Sequence, residues 1–399
     1  MPKQATLKQA TPTHTNPEQV TIDRLRLARA EGVGPVTYRR LLARFGSAAA
    51  ALKALPRLAQ AGGKASPPAV PTEAEAVHEL EYIEKLGARL LLLGDAAYPP
   101  LLARLDDAPP VIAVLGDVSL LAARSVALVG GRNASANGRR IAEDLAAELA
   151  RTGLVIVSGM ARGIDAAAHE GALSVGRTIA VVAGGLDVPY PPEHAELQRR
   201  IAAGGAVVTE APLGAVPQSR HFPRRNRIIA GLALGVVVVE AAPRSGSLIT
   251  ARLATEAGRE VFAVPGSPLD PRSRGGNDLI RQGAVLVETA ADVLANLPED
   301  LDADPAPLFA LQDAPDAPTG FAEPPPLGLD FVDSADDRAA LHAQVLDLVG
   351  SSPTPVDAVL RRCQFSAPAV MAALLELELA GRVETLPGGR VAALLDPIA

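Results

Sequence analysis

Between Ser125 and Val287 the chain repeats one pattern: a short run with nearly every position apolar, then a longer stretch with apolar residues at helical spacing. The apolar runs are Val126–Val129, Leu154–Val157, Thr178–Val182, Ala206–Thr209, Val236–Glu240, Val261–Val264 and Ala284–Val287. Runs that are apolar throughout predict strands buried on both faces, as in parallel sheets covered by helices. Crossovers between parallel strands are right-handed, so the predicted unit is α/β, a Rossmann-like, doubly wound, mostly parallel sheet. A helix over Thr72–Leu86 and a strand over Arg89–Leu93 lead into it.

The two ends follow other patterns. From Ile22 to Leu55, apolar residues at helical spacing (Leu25, Leu41, Leu42, Phe45, Leu52) are interrupted by Gly32-Val33-Gly34-Pro35. This predicts a helical module over residues 21–65, of helix-hairpin-helix or SAM-like type. The amides of its Gly32/Gly34 turn can meet a phosphate with Arg39 or Arg40 alongside, although the glycines also serve simply to make the turn. At the other end, helices over Leu341–Val349, Val356–Arg361 and Ala367–Ala380 precede two short strands around Gly388-Gly389, the pattern of a winged helix over 336–399. The helix placed to read a groove, Ala367–Ala380, holds Glu376 and Glu378 and no Lys or Arg. That suits packing or protein contact at least as well as DNA. Residues 1–20 read as a disordered leader and 298–335 as a flexible tether, leaving 72–297 for the sheet domain and its lead-in.

Composition narrows the function. The 399 residues contain no apolar run of 18, so no membrane span is expected, and the polar start lacks a signal-peptide core; a cytoplasmic location follows. The single Cys363 excludes a disulfide within the chain and a cysteine-based zinc cluster. His169, His194 and His221 lack metal spacing, so neither metal nor cofactor is expected. A net charge of −7 argues against a nucleic-acid partner until its distribution is considered. Eleven acidic residues and no basic one lie between Pro298 and Asp337, and the rest of the chain carries +4. With no Trp, 4 Tyr and 7 Phe, any base-stacking surface must rest on few side chains.

In open parallel sheets, ligands bind beyond the carboxyl ends of the strands. There the sequence places Gly130-Gly131-Arg132-Asn133, Ser158-Gly159 with Arg162-Gly163, Gly184-Gly185, Arg244-Ser245-Gly246-Ser247 and Pro265-Gly266-Ser267. One glycine turn is ordinary turn chemistry, but five on one edge predict an anion site, where amides and helix N-termini approach closely. The segment His221-Phe222-Pro223-Arg224-Arg225-Asn226-Arg227, with Arg220, supplies four arginines, and no acidic residue lies between Ala211 and Val239. Several guanidiniums suit the successive phosphates of a strand, and Phe222 offers a face for a base. Arginines at a helix start oppose its dipole, so these need an anionic partner, either distant carboxylates or phosphates.

The segments LVIVSGMARGIDAAAHEGAL (154–173), Thr178–Tyr190, FPRRNRIIAGL (222–232), GSLITA (246–251) and Val264-Pro265-Gly266 resemble, in order, the DprA/Smf family of DNA-processing proteins. The resemblance spans about residues 98–290, and both terminal modules look like that family's accessories. It implies a protein that binds single-stranded DNA, dimerises through its Rossmann-like domain and hands the strand to RecA, with single-strand-binding protein as a further partner, protecting and recombining incoming DNA in natural transformation. The family's DNA-holding positions fall on Arg132, the Ser158-Gly159 turn and Phe222–Arg227. Gly131 departs from the Gly-Ser-Arg turn usual in the family. Double-stranded DNA remains a possible ligand of the accessory modules.

An enzyme is not expected. Gly130-Gly131 followed by Gly138 does not fit G-x-G-x-x-G, and Gly62-Gly63-Lys64 fails as a P-loop because Leu58 and Ala65 occupy defining positions. Asp165 is read as ordering its own turn. The competing class is the phosphoribohydrolases, which share a glycine-rich phosphate edge but carry Pro-Gly-Gly-x-Gly-Thr and a catalytic Glu. This chain has Ala242–Leu248 there, and Glu256 is poorly placed. A purely structural adaptor is the third reading.

Overall fold

The computed structural model describes residues 16–299, 335–350, 352–386 and 388–394. The N-terminal module is α1 (Pro17–Arg29), α2 (Pro35–Phe45) and α3 (Ala48–Ala61). Asn16 and Ser47 accept amide hydrogens in the first turns of α1 and α3, and Pro35 opens α2 with its φ already helical. Residues 17–20, expected in the leader, are therefore helical; residues 1–15 lie outside the described part.

A reciprocal Thr72/Glu75 cap starts α4 (Glu73–Lys85), which leads into β1 (Ala88–Leu92). After the short α5 (Pro100–Ala103) and β2 (Val111–Gly116), strand and helix alternate. The elements are β3 (Ser125–Val129), α6 (Ala136–Arg151), β4 (Val155–Ser158), α7 (Ile164–Val175), β5 (Thr178–Val181), α8 (Ala195–Gly204) and β6 (Ala206–Thr209). They continue as α9 (His221–Leu232), β7 (Gly235–Val238), α10 (Gly246–Glu256), β8 (Glu260–Ala263), α11 (Arg274–Arg281), β9 (Val285–Leu286) and α12 (Ala290–Asn296). Each of the seven predicted strands forms within two residues of its expected ends.

The nine-stranded sheet runs β1-β2-β6-β5-β4-β3-β7-β8-β9. β3 to β9 pair in parallel, whereas β1 and β2 are antiparallel, with β2 joined to β6. β2 was not foreseen. Its core completes both faces: Val126, Leu128, Ile156 and Val237 pack with α6 and α7, while Ala127, Val129, Val157 and Val236 pack with α9 and α10. The apolar runs lack alternation because both strand faces are covered. The chain builds β3, β4, β5 and β6 outward on one side, then returns through α9 to β7 on the other side of β3. The loops after β3 and β7 therefore diverge, leaving a crevice between them.

The C-terminal module is α13 (Ala335–Leu348), β10 (Thr354–Pro355), α14 (Val356–Arg362), α15 (Ala367–Leu379), β11 (Val383–Leu386) and β12 (Arg390–Ala393), with strand order β10-β12-β11. It is the expected winged helix; residues 300–334 of the expected tether lie outside the described part. Leu374 and Leu377 of α15 fill the module's own core, while Leu375 and Leu379 join Leu55 and Leu58 of α3. A helix buried on two sides is apolar nearly all round, which is the physical reason α15 lacks the cations of a groove reader.

Candidate functional site

The loops that part at the β3/β7 switch point border a cleft of about 660 Å³. Its walls are Gly130–Asn133 after β3, Glu240–Ser247 after β7 and the start of α9 at Phe222, Arg225 and Asn226, with Tyr190 and Arg272 on the rim. α10 begins at its edge, and a Cβ placed on Gly246 would meet open space. The Ser245 hydroxyl caps the Ser247 amide at a long 3.4 Å, and the positive end of this 11-residue helix favours an anion there.

α6 is arranged differently. The Glu240 carboxylate accepts from the Ser135 amide (2.9 Å) and hydroxyl, and the Ser135 hydroxyl accepts from the Gly138 amide. The helix start that holds a pyrophosphate in dinucleotide folds is thus occupied by a side chain of this chain. Asp165 is buried at the cleft floor, accepting from the Ala161 amide (3.2 Å). Burial pushes its carboxyl up, opposed chiefly by the neighbouring Arg225.

The arginines of α9 separate into three roles. Arg225 is buried, and its Nη1 donates to the carbonyls of Gly159 and Val181. Burial lowers its pKa and Asp165 opposes that shift. Arg227 points elsewhere, pairing with Glu210 and lying 3.7 Å from Asp107. Arg224 is exposed outside the cleft lining. Of the two kinds of anionic partner open to these arginines, distant carboxylates reach two of them: Asp165 stands beside Arg225, and Asp107 and Glu210 lie beside Arg227. Arg132 is exposed, with its guanidinium over the Phe222 ring at 4.8 Å from the centroid. Arg225 lies 5.9 Å from the same ring, and Tyr190 packs against it at 5.8 Å. Phe222 is thus a support for cations rather than an open face.

Other expected contacts also move. Of the five strand ends, the turns after β3 and β7 line the cleft, and the end of β4 reaches it only through Ala161 and Asp165. Gly184 and Gly185 do not reach it: the Gly185 amide donates to the Ala215 carbonyl (2.9 Å), and Ala215 and Pro217 cover Gly184. Gly266 is tied to Asn277 in the α11 region. Ser158 is buried, its hydroxyl donating to the Leu128 carbonyl (2.6 Å), and Gly159 lies under Arg225. Arg162 pairs with Glu193 outside the lining, and Gly163, at φ 79°, packs under the Gly131 and Arg132 carbonyls. Gly130, Gly131, Arg132, Phe222, Arg225, Asn226, Gly246 and Ser247 remain together. The N-terminal turn is taken by the winged helix: Gly32 faces the Leu379 carbonyl, and Arg40 reaches Thr385 and Glu378. Arg39 donates to the Ala103 carbonyl (3.0 Å), and Gly34 caps α2. These four residues do not form a phosphate site in this arrangement. Arg272 joins the cleft without having been foreseen, whereas Arg244 belongs to the Arg244–Ser247 turn expected beyond β7 and Tyr190 ends the 178–190 segment that carries the family resemblance. Among the described residues no group of three or more His, Cys, Asp or Glu could hold a metal, and no helix is long and apolar enough to cross a membrane.

Three family models cover the chain: a DprA-like N-terminal HHH domain at residues 18–81, DNA recombination-mediator protein A at 89–298 and a DprA winged helix domain at 330–389. Protein Smf of Escherichia coli is 42% identical over 312 residues, 78% of this chain and 79% of the relative. Protein Smf of Synechocystis is 33% identical over 386 residues, 91% of this chain and 96% of the relative. The X-ray structure of DNA processing protein A from Streptococcus pneumoniae superimposes with a TM-score of 0.54 at 44% identity, covering 57% of this chain and 79% of that one. With models matched in order along the sheet domain and both flanking modules, and relatives matched over most of their length, the chain belongs to the DprA/Smf family.

Proposed function

We propose that this protein processes DNA by holding a single strand through its phosphates in the β3/β7 cleft, shields incoming DNA, and loads RecA onto it in natural transformation, without catalysis. The carrying observation is the pairing of an exposed Arg132, stiffened by Phe222, with the open α10 N-terminus across the cleft. Arg244 and Arg272 extend the cationic rim, although Arg272 shares its charge with Asp270. A terminal phosphate with two charges would face Asp165 and Glu240 in the lining, whereas a diester with one charge can run along the rim. Both carboxylates are engaged with Arg225 or Ser135, which supports a binding role over hydrolysis.

In this reading the ligand is single-stranded DNA, the partners are RecA and single-strand-binding protein, and the unit is a cytoplasmic homodimer whose two clefts gain avidity on one strand. Duplex DNA is not read by α15, which is occupied by α3. Gel shifts with matched single-stranded and duplex oligonucleotides test the ligand, and adenine release from AMP tests the phosphoribohydrolase alternative. RecA filament growth on DNA coated with single-strand-binding protein, with and without the full chain, tests loading. Absence of a single-strand shift at low salt refutes the proposal.

A further inference from the structure

We propose that Tyr190 is the base-stacking platform of the cleft, with Phe222 acting as the backing that positions it; this rests on the single-strand reading above. Phe222 is surrounded by the guanidiniums of Arg132 and Arg225 and by the Tyr190 ring, at 4.8, 5.9 and 5.8 Å. Tyr190, by contrast, stays 45% exposed on the cleft wall. Its ring is inclined 56° to Phe222, so the contact between the two leaves Tyr190 with open ring surface. The phosphate-binding cation and the exposed ring are thus both braced by Phe222, and one nucleotide can place its phosphate on Arg132 and its base on Tyr190.

The loop carrying Tyr190 is held before and after it. The Asp187 carboxylate accepts from the Gly214 amide (2.9 Å), and Gln198 donates to the Leu186 carbonyl (2.9 Å). Beyond Tyr190, Glu193 pairs with Arg162, and His194 Nδ1 meets the Met160 carbonyl at 2.9 Å. A ring on such a loop is ordered before the ligand arrives, so little freedom is lost on stacking. Stacking uses the π-face common to all bases and predicts weak sequence preference.

The test measures Kd for a short dT oligomer and for the same oligomer with abasic sites, using the full-length protein. Tyr190→Ala should weaken dT binding about ten-fold, within what one stacked base contributes, and leave abasic binding unchanged. Tyr190→Phe should bind like wild type. Since the chain has no Trp, Tyr190→Trp creates a single reporter whose emission should be quenched by dT and not by the abasic strand. Equal dT affinity for Tyr190→Ala and wild type overturns the assignment, as does an equal loss on both strands. If the wild type binds neither oligomer at low salt, the single-strand reading itself falls, and this inference with it.

Discussion

Arg132 and Arg225 both border the cleft, and replacing each by Ala should have opposite consequences. Arg225 is 5% exposed, donates to two carbonyls and stands beside the buried Asp165. Truncating it strands these carbonyls and leaves a buried carboxyl without its cation, a loss of about 3–5 kcal/mol. For a domain of roughly 200 residues that corresponds to a Tm lowered by about 10 °C. The destabilisation should also depend on pH. Without Arg225, burial acts unopposed by it and raises the folded-state pKa of Asp165 above its unfolded value. The variant should therefore be least impaired at low pH, where Asp165 is protonated in both states, and lose stability as pH rises through the folded pKa. Arg132, exposed and resting on Phe222, should leave Tm unchanged when replaced. Its loss should instead weaken single-strand binding about ten-fold for every sequence and reduce the slope of log K against log salt by about 0.7, the share of one phosphate. Thermal melts followed by circular dichroism at pH 5 and pH 8, with binding isotherms at several salt concentrations, measure both. A melt of Arg225→Ala within 2 °C of wild type at pH 8 would refute the structural role derived for it.

Three further outcomes are expected. His169 is fully buried, and burial, aided by Arg225 and His194, depresses its pKa down to about 3, with Nδ1 2.7 Å from the Thr178 hydroxyl. The unfolded chain takes a proton near pH 6.5. Stability associated with neutral His169 is then full above that pH and is lost as pH falls toward 3; His169→Asn should flatten that part of a urea-midpoint profile. A Cβ on Gly62 would overlap the Glu376 carbonyl, so Gly62→Val should part α3 from α15, read as faster hydrogen exchange in both helices with unchanged exchange in β3–β8. Replacing Glu240 by Gln removes a negative charge from the cleft wall, and single-strand Kd should fall about three-fold at low salt, the difference shrinking at high salt.

The strands and helices were legible because their signals are local. Val126–Val129 and its successors are apolar at nearly every position, and Thr72 with Glu75 spells a helix start within four residues. β2 (Val111–Gly116) is as apolar as the strands that were foreseen, but it lies ahead of the β–α alternation and pairs antiparallel with β1 and β6. The alternation of β and α put Gly130, Arg132 and Gly246 at carboxyl ends of parallel strands, but the strand order that makes the β3/β7 gap the switch point came only from the folded sheet.

What local patterning could not determine was the direction and company of individual side chains. Arg225 and Arg227 are two positions apart on α9, and two helical steps turn a side chain to the other side of the axis. One therefore lies under the cleft with Asp165, while the other turns to Glu210 and Asp107. Gly184-Gly185 and Gly130-Gly131 look alike as sequence, but only the packing of residues 212–217 covers the first pair. Sequence by itself determined the order of elements and the edge proposed for the ligand, since both follow from short-range periodicity and chain direction. Tertiary structure alone decided which arginines face a ligand and which ring stands open, because those depend on groups brought together from distant parts of the chain.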